Sequence, residues 1–334
     1  MKPIKTAIVG LGNITHGYAD MPSVVKRMKF PTHLSALKQD KRFLLVAGSD
    51  PEAKSRLAFQ KKVGARVNVY SDLAEMLARE KIGLLVIATP TRTHYEVATA
   101  AIKSGVQAIL CEKPIASSVV EATKLIKLAK KHQVTLAVNY FRSFDAGYLR
   151  LRQFIKSQSL GGLLGVNVNY SNGILNTGTH LINILEKLVQ PFDTVIGLHD
   201  SGIANSPDPT INFAAKMGAI TVFFRGLNNS DYRLFEMDLF FKGGRVKVAS
   251  DKLEQWSIHS DDGFSFLQPN KKSALTIDIN RSLLDVYDNI YKHLNGGGSL
   301  SCTAVDAWHA LSVADCAVRV NNSTRELVVP SFKN

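Results

Sequence analysis

Residues 4–17 read IKTAIVGLGNITHG, an apolar run that meets Gly10 and Gly12 without any intervening polar segment. A buried strand that ends in two glycines one residue apart can turn sharply and bring bare backbone close to a ligand. A dinucleotide pyrophosphate needs that approach, and its charge is expected to rest at the N-terminus of the following helix. Gly10, Gly12, Asn13 and Ile14 are therefore candidate cofactor contacts. The third small residue of the usual glycine pattern would stand three places after Gly12, where the chain has Thr15, and Gly17 follows two later.

The glycines gain weight from what surrounds them. FLLVAG, IGLLVIA, GVQAIL and VTLAVNY are further apolar runs of strand length, and helical patterns separate them. Asp72 with Glu75, Thr93 with Glu96 and Ser118 with Glu121 have capping-box spacing, and Gly105 is placed to close the helix that starts near Thr93. Beyond Ser118, Ala122, Leu125, Ile126 and Ala129 share one helical face. Nearly continuous apolar strands alternating with amphipathic helices imply a doubly wound parallel sheet of the Rossmann type over residues 1–140. The second strand ends at Asp50, the position for an acidic residue that holds the adenosine ribose. Asp50 lies 38 residues after Gly12 instead of about 20, so residues 17–36 read as an insertion. An Asx turn with Pro51 is the plain structural alternative. Ser49, Lys54 and Arg56 leave room for a 2′-phosphate, so NAD is expected and NADP stays open.

Past residue 140 the pattern changes. A helix is expected over 145–157, and then VNVNYS, TVIGLH, TINFAAKM, AITVFF, LFEMDLFF, RVKVAS and LEQWSIHS follow with turns such as FKGGR between them. Hairpins in succession imply a large, mostly antiparallel sheet. Two more helices are expected over 281–294 and 303–320, joined by NGGGS. The chain thus reads as an α/β protein of two domains, 1–140 and 141–334.

Composition narrows the function classes. The net charge of +13 comes from the first 150 residues, where 24 Lys and Arg face 11 Asp and Glu, while the remainder holds 17 of each. With no arginine-rich arm, zinc-finger spacing or aromatic RNA-binding signature, that surplus suits a small polyanion better than a nucleic acid. Three cysteines at unrelated spacings argue against a disulfide framework or a cysteine metal site, and suit a reducing cytoplasm. No apolar run approaches a membrane span, and no secretory leader pattern opens the sequence.

Two further stretches carry chemistry. ILCEKPI, 109–115, delivers Glu112 and Lys113 to the end of an apolar strand, with Pro114 restricting the backbone before it. In NTGTHLINILEKL, Asn176 and His180 stand four apart, so a helix would present both on one face, with Leu181, Leu185, Leu188 and Val189 on the buried side.

Taken together, GLGNI, TPTRTHYEVATAAIKSGVQAILCEKPIA, NYFRSFDAGYLRLR and the NTGTH segment resemble the family of glucose–fructose oxidoreductase, inositol dehydrogenase and related sugar dehydrogenases. The resemblance implies an N-terminal Rossmann domain for a nicotinamide cofactor and a C-terminal substrate and oligomerisation domain with an open sheet, in homo-dimers or homo-tetramers. It also implies that Lys113 contacts the reacting hydroxyl, that Glu112 contacts the cofactor ribose, and that His180 takes the hydroxyl proton. Thr89, Pro90 and His94 would line the nicotinamide side, and Arg142 would meet an anionic part of the substrate. Asn176 stands where many relatives carry Asp; an amide can hold a hydroxyl but accepts no proton. The expected activity is oxidation of a secondary alcohol on a sugar or nucleotide-linked sugar. A cofactor-loaded sugar sensor without turnover is the rival, and a substrate other than a sugar is a third reading.

Overall fold

The computed structural model describes residues 2–198, 206–250, 252–261 and 263–332, and the chain divides into two compact units. The first holds residues 1–144 and 279–308, and the second holds 145–278 and 309–333.

The sheet of the first unit has six parallel strands: β1 (Ile4–Val9), β2 (Phe43–Ser49), β3 (Asn68–Tyr70), β4 (Leu84–Ile87), β5 (Ala108–Cys111) and β6 (Thr135–Val138). Their order, β3-β2-β1-β4-β5-β6, is that of a doubly wound dinucleotide fold, with the reversal of direction beside β1. Every residue of β4 and β5 is buried, as expected of central strands covered on both faces. The connecting helices are α1 (Pro22–Val25), α2 (His33–Gln39), α3 (Ala53–Val63), α4 (Leu73–Arg79), α5 (His94–Lys103) and α6 (Val119–Lys131). In α6 the stripe Ala122, Leu125, Ile126 and Ala129 is buried, and each of its larger side chains contributes about 1.5–3 kcal/mol.

The caps follow the sequence in two cases out of three. Asp72 accepts from the Glu75 N–H at 2.8 Å, and Ser118 accepts from the Glu121 N–H at 3.2 Å. Thr93 makes no cap: its hydroxyl lies 2.9 Å from Thr89 Oγ1 and 2.8 Å from the Pro90 carbonyl, which compete for its one proton, and a 3₁₀ turn, Thr91–Thr93, leads into α5 instead.

The second unit begins with α7 (Ala146–Lys156), capped by Asp145, whose Oδ1 accepts from the Gly147 and Tyr148 N–H groups. After β7 (Leu163–Tyr170) comes α8 (Thr179–Leu188). The remaining strands are β8 (Thr194–Gly197), β9 (Phe213–Met217), β10 (Ile220–Gly226), β11 (Phe235–Phe241), β12 (Gly244–Ala249), β13 (Lys252–Asp261), β14 (Phe264–Pro269) and β15 (Glu326–Val328). All nine strands form one sheet in the order β14-β13-β12-β11-β7-β10-β9-β8-β15, antiparallel except where β10 runs parallel to β7. In β11 and β12 burial alternates residue by residue, so one face is core and the other is not.

Two helices close the chain. α9 (Ser282–Leu294) lies in a stretch grouped with the first unit and packs on α2, so the division differs from a single cut near residue 140. α10 (Ala304–Val320) gives its first residues to the first unit and the rest to the second. Among the described residues no helix is long and apolar enough to cross a membrane.

Candidate functional site

At the carboxyl end of β1, Gly10 adopts φ +88°, and a Cβ there would lie 2.6 Å from the backbone of Ala88, so only glycine fits between β1 and the end of β4. Gly12 is different: it is exposed, and a Cβ on it would meet nothing within 4 Å. The N–H groups of Gly12, Asn13 and Ile14 take no partner among the described residues, and the turn presents them together. Thr15 is buried beneath, its hydroxyl donating to the Gly10 carbonyl at 2.6 Å, which is why the third small position tolerates a threonine.

One expectation is corrected. No full helix starts at the glycines: the chain forms a short turn and a 3₁₀ segment, Gly17–Asp20, and the four-residue α1 precedes α2. The first N–H groups of α2, those of His33 and Leu34, are spent on the carbonyls of Ile14 and Thr15 at 3.0 and 2.9 Å. The N–H groups left without a partner among the described residues therefore belong to the glycine turn itself and not to the start of α2.

Asp50 ends up beside that turn. Its Oδ2 accepts from the Leu11 N–H at 2.7 Å, and its Oδ1 accepts from the Glu52 N–H at 2.8 Å. The Asx turn is thus formed, and the same carboxylate also pins the glycine turn; each oxygen keeps a lone pair for a ribose hydroxyl. Ser49 is buried, while Arg56 donates to the carbonyls of Asp50 and Pro51 at 2.8 Å each.

At the end of β5, buried side chains converge on Glu112. Glu112 Oε1 accepts from His33 Nε2 at 3.0 Å and from Asn139 Nδ2 at 2.5 Å, while His33 Nδ1 meets the Tyr287 hydroxyl at 3.0 Å. A carboxylate only accepts, so His33 Nε2 is the donor, and with a neutral ring the tyrosine hydroxyl donates to Nδ1. Burial pushes the Glu112 carboxyl up, but the hydrogen bond from His33 and its electrostatic attraction, the Asn139 amide and nearby Lys113 outweigh it and hold Glu112 below its ordinary value of 4.5. Burial pushes Tyr287 far up, so it stays a phenol. Sequence reasoning missed His33, Asn139 and Tyr287, which lie in an apparent insertion, at the end of β6 and in a distant helix.

The Lys113–Pro114 peptide is cis, and Lys113 is half-buried next to Glu112. His94 is fully buried, and its nitrogens lie 2.8 Å from the carbonyls of Pro114 and Thr89, so the ring latches the end of β4 to that peptide. Thr89 is half-buried and Pro90 exposed. The Arg142 guanidinium stacks 4.5 Å from the centre of the Phe141 ring. A surface cavity of about 780 Å³, lined by Lys2, Lys5, Glu80, Lys81 and Gln107 among others, lies at the opposite, amino ends of β1, β4 and β5 and includes none of these residues.

In the second unit, Asn176 and His180 do not share one continuous α-helix. Ile174–Gly178 is a π-helical turn, and α8 starts at Thr179, with Asn176 exposed and His180 half-buried. Leu181, Leu185 and Leu188 are buried as the spacing predicts, while Val189 caps the end. The π turn is held from outside: Asp208 accepts from the N–H groups of Leu175 at 2.7 Å and Asn176 at 2.9 Å, and Ile174 donates to the Pro209 carbonyl at 2.9 Å.

Known proteins resemble the chain in sequence over part of its length and in fold over nearly all of it. An uncharacterized oxidoreductase of Schizosaccharomyces pombe is 34% identical over 165 residues, 48% of this chain and 40% of the relative. Inositol 2-dehydrogenase 1 of Saccharopolyspora erythraea is 27% identical over 162 residues, 48% of each chain. These matches thus span less than half the length of those relatives. Among solved structures, the WlbA dehydrogenase of Bordetella pertussis, in complex with NADH and UDP-GlcNAcA, superposes with a TM-score of 0.79 at 19% identity, covering 98% of both chains, which shows a common fold. The model for an oxidoreductase family with an NAD-binding Rossmann fold matches residues 4–140. Over those residues the chain is similar to the NAD-binding domain of the Gfo/Idh/MocA oxidoreductases.

Proposed function

We propose that the chain is a nicotinamide-dependent dehydrogenase that oxidises a secondary alcohol of a sugar or nucleotide-linked sugar, with NAD the preferred cofactor. The observation that carries this reading is the convergence, at the carboxyl ends of β1, β2, β4 and β5, of an N–H cradle, Asp50 and the Glu112–Lys113 pair in a domain of an NAD-binding family. The turn suits a pyrophosphate, Asp50 and Glu112 are acceptors for ribose hydroxyls, and Arg56, one of the candidates for a 2′-phosphate, is committed to backbone carbonyls.

A bound nicotinamide would supply the hydride acceptor, so the alcohol leaves as a ketone once its proton has also been taken. In this reading His180 takes the hydroxyl proton. Lys113 stays cationic and stabilises the developing alkoxide, the kind of charge stabilisation that dominates such reactions. Asn176 holds a substrate hydroxyl but cannot itself act as base. Sugar nucleotides join the substrate class because a structural neighbour was solved with UDP-GlcNAcA, and inositol because of a curated relative. Titration of the chain with NADH and NADPH tests the cofactor assignment: tighter binding of NADH that is lost in Asp50→Ala is expected, and a clear preference for NADPH would remove Asp50 from its role.

A further inference from the structure

The buried chain of contacts behind Glu112 is more than a carboxylate at a strand end needs. His33 and Tyr287 are fully buried, and the Asn139 amide spends Nδ2 on Glu112 while its buried Oδ1 takes no partner among the described residues. Leaving a buried acceptor unpaired is costly, so the amide is oriented for the carboxylate and not for its own satisfaction. Both donors converge on Oε1, and Oε2 takes no partner among the described residues. His33, Asn139 and Tyr287 come from three separate places in the chain: the first turn of α2, the end of β6 and the middle of α9.

We propose that His33, Asn139 and Tyr287 are positioning residues that grip Glu112 by one oxygen, so that the other is held as a fixed acceptor for a hydroxyl of the bound nicotinamide dinucleotide. This rests on the cofactor reading above. It gives residues 17–36 a purpose, because the detour between Gly12 and β2 is what brings His33 to the strand end, and it gives α9 one as well. His33 and Tyr287 touch no ligand in this account; they act through Glu112.

The test uses the full chain and NADH as probe. His33→Leu removes the donor to Glu112 and is expected to weaken NADH binding about tenfold, while His33→Gln, whose amide N–H can still reach Oε1, stays within about threefold of the unaltered chain. Tyr287→Phe, which deletes one hydroxyl and keeps the packing, weakens binding two- to threefold and serves if His33→Leu does not fold. Equal loss in His33→Leu and His33→Gln, or no loss in a folded His33→Leu, would overturn the proposal. A second readout needs no ligand: the ¹³C shift of the Glu112 side-chain carboxyl is expected to titrate at higher pH in His33→Leu, and an unmoved titration would count against the grip. If the unaltered chain binds neither NADH nor NADPH, the cofactor reading fails, and the carboxyl titration still decides whether His33 holds Glu112.

Discussion

The two places where chemistry is expected are built in opposite ways. In the first unit, Glu112 and Lys113 sit at the end of a fully buried strand, and side chains grip the carboxylate from behind: His33 at 3.0 Å and Asn139 at 2.5 Å. In the second, Asn176 and His180 ride on an irregular π turn and the helix after it, and a carboxylate, Asp208, grips the backbone through the Leu175 and Asn176 N–H groups. A strand end needs its side chain fixed, whereas a distorted helix start needs its orphan N–H groups satisfied. Substitutions should therefore act on ligand affinity in the first region and on local order in the second.

The largest effect should come from the charge at the strand end. Lys113→Ala is expected to lower turnover about a hundredfold or more with melting unchanged, read from the reduced-nicotinamide absorbance; an unaffected rate would leave that end of β5 with binding alone. Next comes a pair within the glycine turn. Gly10→Ala forces a Cβ into the Ala88 backbone at a positive φ and should cost about 1–3 kcal/mol in urea unfolding, whereas Gly12→Ala, with open space around it, should fold normally and lose cofactor affinity. If both lost stability equally, the turn would be a structural corner and not a cradle.

On the other side of the comparison, Asp208→Asn keeps one acceptor and loses the other, and about 1–2 kcal/mol of stability is expected to go with it. Amide exchange should quicken at Leu175 and Asn176 while NADH affinity is unchanged. The smallest effect concerns pH. Because Glu112 is held below 4.5 in the folded chain, its contribution is fully present above that pH and is lost as the pH falls through the depressed value. Unfolding free energy between pH 5 and 3 should accordingly fall less steeply in Glu112→Gln than in the unaltered chain.

How much of this could be read from the residues alone depends on whether the deciding partner is near in sequence. The β1 run with Gly10 and Gly12, the caps at Asp72 and Ser118 and the α6 stripe rest on neighbours within a few positions, and the structure has them as the spacing predicts. Thr93 shows the limit even at short range, because two oxygens just before it compete for its hydroxyl. The spacing of Asn176 and His180 also suggests a plain helix, yet its start is set by Asp208, 32 residues from Asn176. His33 lies 79 residues from Glu112 and 254 from Tyr287, so nothing local marks it. β3 and β15, three residues each, are too short for a period to show.

The proposed reaction is hydride transfer from a sugar alcohol to a nicotinamide. Its most direct measurement is absorbance at the reduced-nicotinamide band while the chain, with NAD and then NADP, is offered free and nucleotide-linked sugars. A signal is expected with at least one of them, and it should disappear in both Lys113→Ala and His180→Ala. Tight binding of cofactor and sugar with no change in absorbance for any of them would contradict it and leave a cofactor-loaded sugar sensor in its place.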